Sequence, residues 1–191
     1  MSLPFCLPSD HRVAGTRSWG RVQGVTLAPV GRTQGDREFL CFRPGFYLAM
    51  GNLVHLGARR DVYPSGDFFK LHFRLAGESR VAQVAAPGSQ RVAPMSVSTL
   101  VQPHDSFKEE HFAAGVRERS LTLCCSRAFL ADEVGLDAST PAQGAFGHYL
   151  KGRPSRFELE QAPLRAPQFD AANALLDSRP ADPLRALFAE A

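Results

Sequence analysis

The side chains able to do acid–base, nucleophilic or metal chemistry are few and scattered. His55, His72, His104 and His111 fall in a long region that reads as strand after strand, and His11 and His148 fall outside it. A facial metal site in a β roll needs two histidines one residue apart, a carboxylate and a distant histidine, which together leave coordination positions open. No H-x-H occurs here; Glu78 follows His72 only across a turn, and His104-Asp105 with His111 does not restore the pattern. The histidines therefore read as surface or strand-edge residues, and no metal ligand or cofactor is assigned. There is no G-x-S-x-G elbow, no H-E-x-x-H and no G-x-x-x-x-G-K-[ST]. Glu109-Glu110 could pair as carboxylates but reads as a solvated strand end. Asp132-Glu133 sits inside a short helix, where acids suit the N-terminal half electrostatically. No catalytic residue is assigned, and the chain is expected not to be an enzyme.

The four cysteines, Cys6, Cys41, Cys124 and Cys125, form no C-x-x-C pair, which removes zinc-ribbon and thioredoxin readings. Cys124 and Cys125 are neighbours in a strand-like run and should point to opposite faces, so a disulfide between them is not expected. Reduced thiols suit a cytoplasmic protein. The 191 residues suit one domain, and 44% hydrophobic against 21% charged residues predicts a real core rather than disorder. A net charge of +3, with no basic run longer than Arg59-Arg60, does not announce a nucleic-acid surface. The N-terminus is apolar but broken by Pro4 and Pro8 and lacks a basic leader, unlike a signal peptide. No apolar run reaches the roughly 18 residues a membrane span needs.

The elements that must position these groups are short strands followed by helices. Strands are predicted over 22–30, 38–43, 46–56, 68–75, 79–84, 92–101, 107–112 and 119–125. The clearest is 68–75: Phe69, Leu71, Phe73 and Leu75 alternate with Lys70, His72 and Arg74, the period of a half-buried strand. In 119–125, Leu121, Leu123 and Cys125 share one face and Ser120, Thr122 and Cys124 the other. Close, regular strands argue for a sandwich or barrel, and a rolled barrel also hides sheet edges. After Cys125 the pattern becomes helical. Ser126 can cap a helix over 127–134 that stops at Gly135; a second is expected from Thr140-Pro141 to Gly152; 157–161 is a brief strand or an extended link. A third helix spans 167–177, and a turn at 178–181 leads to a helix opened by Asp182 as N-cap and Pro183. The last two read as an antiparallel hairpin. No glycine, basic residue or polar tail closes the final helix before Ala191, which predicts that the natural chain continues.

Inward positions of a small barrel either fill its lumen or line a ligand cavity, and the apolar wall serves both. Phenylalanine is abundant, at fourteen residues. The basic stripe of Lys70, His72 and Arg74 could meet an anionic ligand if it turned inward; solvent exposure is the favoured reading.

Two segments and the order of elements carry a family resemblance. Asp67-Phe-Phe-Lys-Leu-His-Phe-Arg-Leu-Ala-Gly-Glu-Ser-Arg80 resembles the strand–turn–strand with a Leu-x-Gly turn found in the sensor half of AraC/XylS-type bacterial transcription regulators. Ser120-Leu-Thr-Leu-Cys-Cys-Ser-Arg-Ala-Phe-Leu130 is similar to that family's last barrel strand and first short helix. The segment 184–191 looks like the helix before its DNA-binding half. The likeness covers roughly residues 35 to 191 and is nearest to the branch with the pyochelin-responsive regulators.

The resemblance implies a mainly β protein with a C-terminal α appendix. In it, a cupin-like double-stranded β-barrel (jelly roll) over 1–125 binds a small-molecule effector, and a helical appendix over 126–191 dimerises through a hairpin at 167–191. DNA contact would lie in a C-terminal helix-turn-helix part absent from these residues, since the 126–152 helices lack a basic recognition face. Effector contacts are expected from Phe69, Leu71 and Phe73, faced by Leu121 and Leu123. The homodimer face is expected along Phe169, Ala172, Leu175, Leu176, Leu184, Leu187 and Phe188, with packing against the barrel as its competitor. The alternative is a stand-alone cupin enzyme holding a metal on some of His55, His72, His104 and His111. A third reading is an interaction module with a filled barrel.

Overall fold

The computed structural model describes residues 11–152, 154 and 156–178. The strands are β1 (His11–Trp19), β2 (Val22–Pro29), β3 (Thr33–Arg43), β4 (Phe46–His55), β5 (Arg59–Pro64), β6 (Phe68–Ala76), β7 (Ser79–Gln83), β8 (Gln90–Val92), β9 (Ser96–Val101), β10 (Phe107–Phe112) and β11 (Arg117–Ser126). Then come α1 (Arg127–Val134), α2 (Gly144–Leu150), β12 (Glu158–Pro163) and α3 (Ala166–Asp177). The strands form an eight-stranded sheet, β1-β2-β3-β4-β11-β6-β9-β12, and a four-stranded sheet, β5-β10-β7-β8. Neighbours pair antiparallel throughout. Side chains bridge the two sheets: Arg37 on β3 donates to the Tyr63 hydroxyl on β5 at 2.8 Å, and Arg74 on β6 to Glu110 on β10 at 2.6 Å. The fold is the mainly β, cupin-like double-sheet roll with helices at its C-terminal end.

Local chemistry explains most boundaries. The β3–β4 turn runs through Pro44-Gly45, and Gly45 has φ 80°, a region that favours glycine; a Cβ there would also strike the Ser126 hydroxyl at 2.1 Å. Ser126 is needed in that place. Its side chain accepts from the Phe129 N–H and caps α1, which Gly135 closes in the left-handed conformation. β8 and β9, expected as one strand, are parted where Pro94 precedes Met95 at φ 55°.

α2 is shorter than the sequence suggests. Thr140 does not cap it, because its hydroxyl accepts from the Asp137 N–H while the Asp137 carboxylate accepts from Ser139. The start of α2 is instead met by Glu160 of β12, which accepts from the Ala145 N–H at 3.1 Å. β12 pairs with β9 along its length, so the segment after residue 125 adds an edge strand to the large sheet as well as helices. The strands β1 and β5 were not resolved by periodicity.

The main apolar core lies on the outer face of the eight-stranded sheet. Leu40, Leu48, Phe73 and Leu121 cluster there with Ala172 of α3, and Phe169, Leu175 and Leu176 pack against them. Four of the seven residues expected at a dimer face thus seat α3 on the sheet. The other three, Leu184, Leu187 and Phe188, lie outside the described residues. A second cluster joins Val101 and Leu130 to Ala145, Tyr149 and Leu150.

Candidate functional site

Between the sheets lies a cavity of about 360 Å³, at the lower end of the range for small-molecule sites. Lys70 and His72 of β6 form one wall, continued by Glu118, Ser120, Thr122 and Cys124 of β11. Arg37, Phe39, Tyr47 and Ala49 extend it across β3 and β4, while Tyr63, Lys108 and Glu110 face it from the smaller sheet. Ser65, the exposed Gly66 and Phe68 edge it where it meets the surface.

The register decides which side chains point in. Thr122 stands opposite His72 on one side and Ala49 on the other, and all three line the cavity. Leu121 stands opposite Phe73 and Leu123 opposite Leu71, and these four belong to the core beneath α3. Phe69 packs on Phe146 and Tyr149, with ring centroids 4.7 and 5.9 Å away. The five residues expected to touch an effector therefore share one face, as their alternation required, but it is the face turned away from the cavity. The basic stripe, expected in solvent, is correspondingly turned inward, and Arg74 is fully buried. Both inversions have one cause. α3 needs an apolar seat, and only the Phe–Leu face of β6 and β11 supplies it; one residue of offset exchanges the faces entirely.

The deep end of the cavity is a closed charge network. Arg37 donates to Glu118 at 3.2 Å, His55 Nε2 lies 3.1 Å from the same carboxylate, and Ser120 donates to it at 2.8 Å. Tyr63 donates to Asp61 at 2.9 Å, and Arg59 donates to Asp61 at 2.7 Å. Burial pushes the Glu118 carboxyl up, but Arg37, the His55 hydrogen bond and Arg74 more than offset this and hold it well below the usual carboxylate range. Glu110 behaves alike: burial raises it, and Lys108 and Arg74 bring it below its ordinary value. Ser79 and Lys108 donate to its carboxylate at 2.6 and 2.9 Å. The expectation of a solvated Glu109-Glu110 strand end holds for one residue only. Glu109 pairs outside with Arg60 and His111, while Glu110 lies in the cavity floor, because adjacent strand residues face opposite ways.

The upper wall is different. Lys70 Nζ donates to Gln102 Oε1 at 2.7 Å, a neutral partner; burial, aided by Lys108, lowers its pKa to about 8. His72 Nδ1 lies 2.7 Å from the Thr122 hydroxyl, and burial followed by the Arg74 charge lowers its pKa to about 3, so the ring is neutral at physiological pH. Burial raises Cys124 to about 12 and Cys125 to about 11. Their opposite orientations match the sequence reading; Cys6 lies outside the described residues.

The four histidines are not brought together. His55 is buried on Glu118 against the Phe112 ring, 4.3 Å between centroids; His72 lies on the cavity wall. His104 is half-exposed beside Asp105 and His111 beside Glu109. Among the described residues no group of three histidine, cysteine, aspartate or glutamate side chains is placed to hold a metal ion. Nor is any helix among them long and apolar enough to cross a membrane.

Sequence reasoning missed Arg37, Tyr63, Lys108, Glu110 and Glu118. The stretches that hold them, 33–38, 59–63, 108–111 and 117–120, are runs of mostly polar residues with no period-two signal to say which side chains turn inward. The usable signal was the amphipathic stripe of α3, which demands an apolar sheet face as its partner.

No family model matches the chain, and no curated protein matches it. Solved structures similar to it include a point variant of apo ToxT from Vibrio cholerae (TM-score 0.47, 9% identity, covering 76% of this chain and 52% of that one). The AraC-like transcriptional activator CuxR is another (TM-score 0.35, 12% identity, 80% of this chain and 48% of that one). A third is a variant of the oxalate decarboxylase OxdC of Bacillus subtilis (TM-score 0.36, 13% identity, 86% of this chain and 45% of that one). The chain spans about half the length of each. The likeness is one of the β roll, which its own strand order and register define.

Proposed function

We propose that this chain is the effector-sensing and dimer-forming part of an AraC-type bacterial transcription regulator, cytoplasmic and without catalysis of its own. One observation carries the reading: the strands that wall the cavity carry the seat of α3 on their reverse. His72 and Thr122 face the lumen, while Phe73 and Leu121, one residue along the same strands, pack toward Ala172. A ligand that favours one spacing of β6 and β11 thereby favours one position of α3 and of whatever follows it. Such a ligand acts only through its differential affinity for the two arrangements, and coupling of about 1–3 kcal/mol is usual between linked sites.

DNA contact belongs to a helix-turn-helix part beyond these residues. Dimerisation is assigned to the C-terminal helical segment. With Phe169, Ala172, Leu175 and Leu176 engaged on the sheet, the stripe Leu184, Leu187 and Phe188 is the remaining candidate.

The test has two arms. The intact gene product should encode two helix-turn-helix units after Ala191 and bind its promoter with an affinity that a small molecule changes. Operator binding indifferent to every compound that raises the melting temperature of this chain would refute the sensing role. In sedimentation, Leu187→Asp should dissociate the dimer; an unchanged dimer would remove that interface.

A further inference from the structure

Lysine is rare in this chain. Of its 22 lysine and arginine residues three are lysines, Lys70, Lys108 and Lys151, and two of those three line the cavity between the sheets. The difference is chemical: a guanidinium stays protonated in proteins, whereas an ammonium can release its proton and become a nucleophile. The other cations of the site are held as charges. Arg37 faces Asp61 and Glu118, and Arg74 and Lys108 share Glu110. Lys70 Nζ instead donates to the neutral Gln102 amide oxygen at 2.7 Å. Lys70 is partly buried, on the wall of a cavity that meets the surface at Ser65, Gly66 and Phe68. Burial, aided by the Lys108 charge, lowers its pKa from 10.5 to about 8, which raises the free-amine fraction at neutral pH by on the order of a hundredfold. A desolvated lysine beside a second cation is the form in which lysine attacks carbonyl groups. Cys124 stands opposite Lys70 and lines the same cavity, but burial pushes its thiol up to about 12; it stays protonated and competes poorly.

We propose that the cavity takes a small aldehyde and holds it covalently, as an imine on Lys70 Nζ. The inference rests on the reading of the cavity as the effector site and adds the effector's class and the way it is held. The neutral amine attacks the carbonyl carbon and forms the C–N bond. The carbonyl oxygen gains a proton and the nitrogen loses one, which gives a carbinolamine. The C–O bond then breaks, the oxygen leaves as water with the second nitrogen proton, and a C=N bond remains. No oxidant or reductant is consumed. Water reverses the sequence, so occupancy follows the concentration of aldehyde. Tyr47, Cys124 and Lys70 form one row across β4, β11 and β6, and Phe68 meets Tyr47 edge-on at 4.6 Å between centroids. An apolar body attached at Lys70 thus shares its lumen with aromatic rings. The volume of about 360 Å³ limits that body to a small molecule.

Benzaldehyde, with benzyl alcohol as its unreactive counterpart, can be added to the chain at neutral pH, the imine reduced with cyanoborohydride and the modified residue located by mass spectrometry. Lys70 should carry the benzyl group in a yield about tenfold or more above that of Lys108, held on Glu110, and of the exposed Lys151. Lys70→Arg keeps the charge and the donors, so it should melt near the wild type and lose the adduct at that position. The wild-type map stands whether or not that variant folds. Equal labelling of the three lysines would overturn the imine; a melting temperature raised alike by benzyl alcohol would then leave the cavity as a non-covalent effector site. Absence of both labelling and any melting shift would overturn the inference together with this cavity as the receptor. Labelling at Lys70 that leaves promoter binding of the intact regulator unchanged would keep the imine and overturn the sensing role.

Discussion

The two faces of the eight-stranded sheet are made by the same strands and have opposite compositions. Beneath α3, β6 and β11 present Leu71, Phe73, Leu121 and Leu123 to a dry core. Toward the smaller sheet they present Lys70, His72, Thr122 and Cys124 to a cavity. The outer face is closed by side chains of the protein itself and holds the fold. The inner face is divided: its deep end is closed by ion pairs, and its upper end is open and carries a cation with no carboxylate. A β roll can leave its lumen unfilled because a second core, on the reverse of one sheet, supplies the burial that stability requires.

The largest effect expected from breaking this division is at the deep end. Glu118→Ala removes the carboxylate shared by Arg37 and His55 and should destabilise by about 3–5 kcal/mol, as loss of one partner of a buried pair does. Denaturant midpoints test it; a loss below about 1 kcal/mol would place the deep end with the open cavity rather than with the structural frame. On the outer face, Leu121→Ala should lose about 2–5 kcal/mol yet leave the affinity of any cavity ligand within twofold. A parallel loss of affinity under conditions where the variant is fully folded would show that the two faces are not independent.

Acid should act most strongly on the inner face, where the shifted groups are buried. His72 stays neutral in the fold down to about pH 3, against an ordinary value of 6.5. The unfolded chain therefore binds the proton first, and stability falls as pH drops below 6.5. The lowered Glu110 and Glu118 contribute stability that is fully present above their ordinary value of 4.5 and is lost as pH falls below it. Replacement of His72 by Gln should flatten the slope between pH 6.5 and 4.5 and leave the lower one. An unaltered upper slope would assign it to other groups. The smallest effect has the opposite sign: Lys70→Met should raise the melting temperature slightly, by no more than about 1 kcal/mol in stability, because it removes an unanswered charge. A clear drop would mean that the Gln102 hydrogen bond alone satisfies Lys70.

Much of the fold was legible from local signals. The alternation over 68–75, the Ser126 cap and the Gly135 stop are each set by neighbouring residues, and each stands where it was read. Less of the site was. Periodicity grouped Phe69, Leu71 and Phe73 with one another and Lys70, His72 and Arg74 with one another, yet the first group was assigned to the lumen. The rule that apolar residues face inward presumes that a barrel has one interior. This sheet is covered on both sides, by α3 and by the smaller sheet, so both of its faces are interior. β5, rich in arginine, gave little period-two signal, and Arg59, Asp61 and Tyr63 were missed with it although they complete the charge network.

By itself the sequence determined which residues must share a face, because successive side chains on an extended backbone point in opposite directions whatever surrounds them. It also determined where strands yield to helices, through caps and turn residues a few positions apart. Which face became core and which became cavity was decided only by tertiary structure. That choice depends on what lies opposite each face: an apolar helix more than forty residues downstream on one side, and on the other a second sheet that sets Asp61 against Arg37 and Glu110 against Arg74.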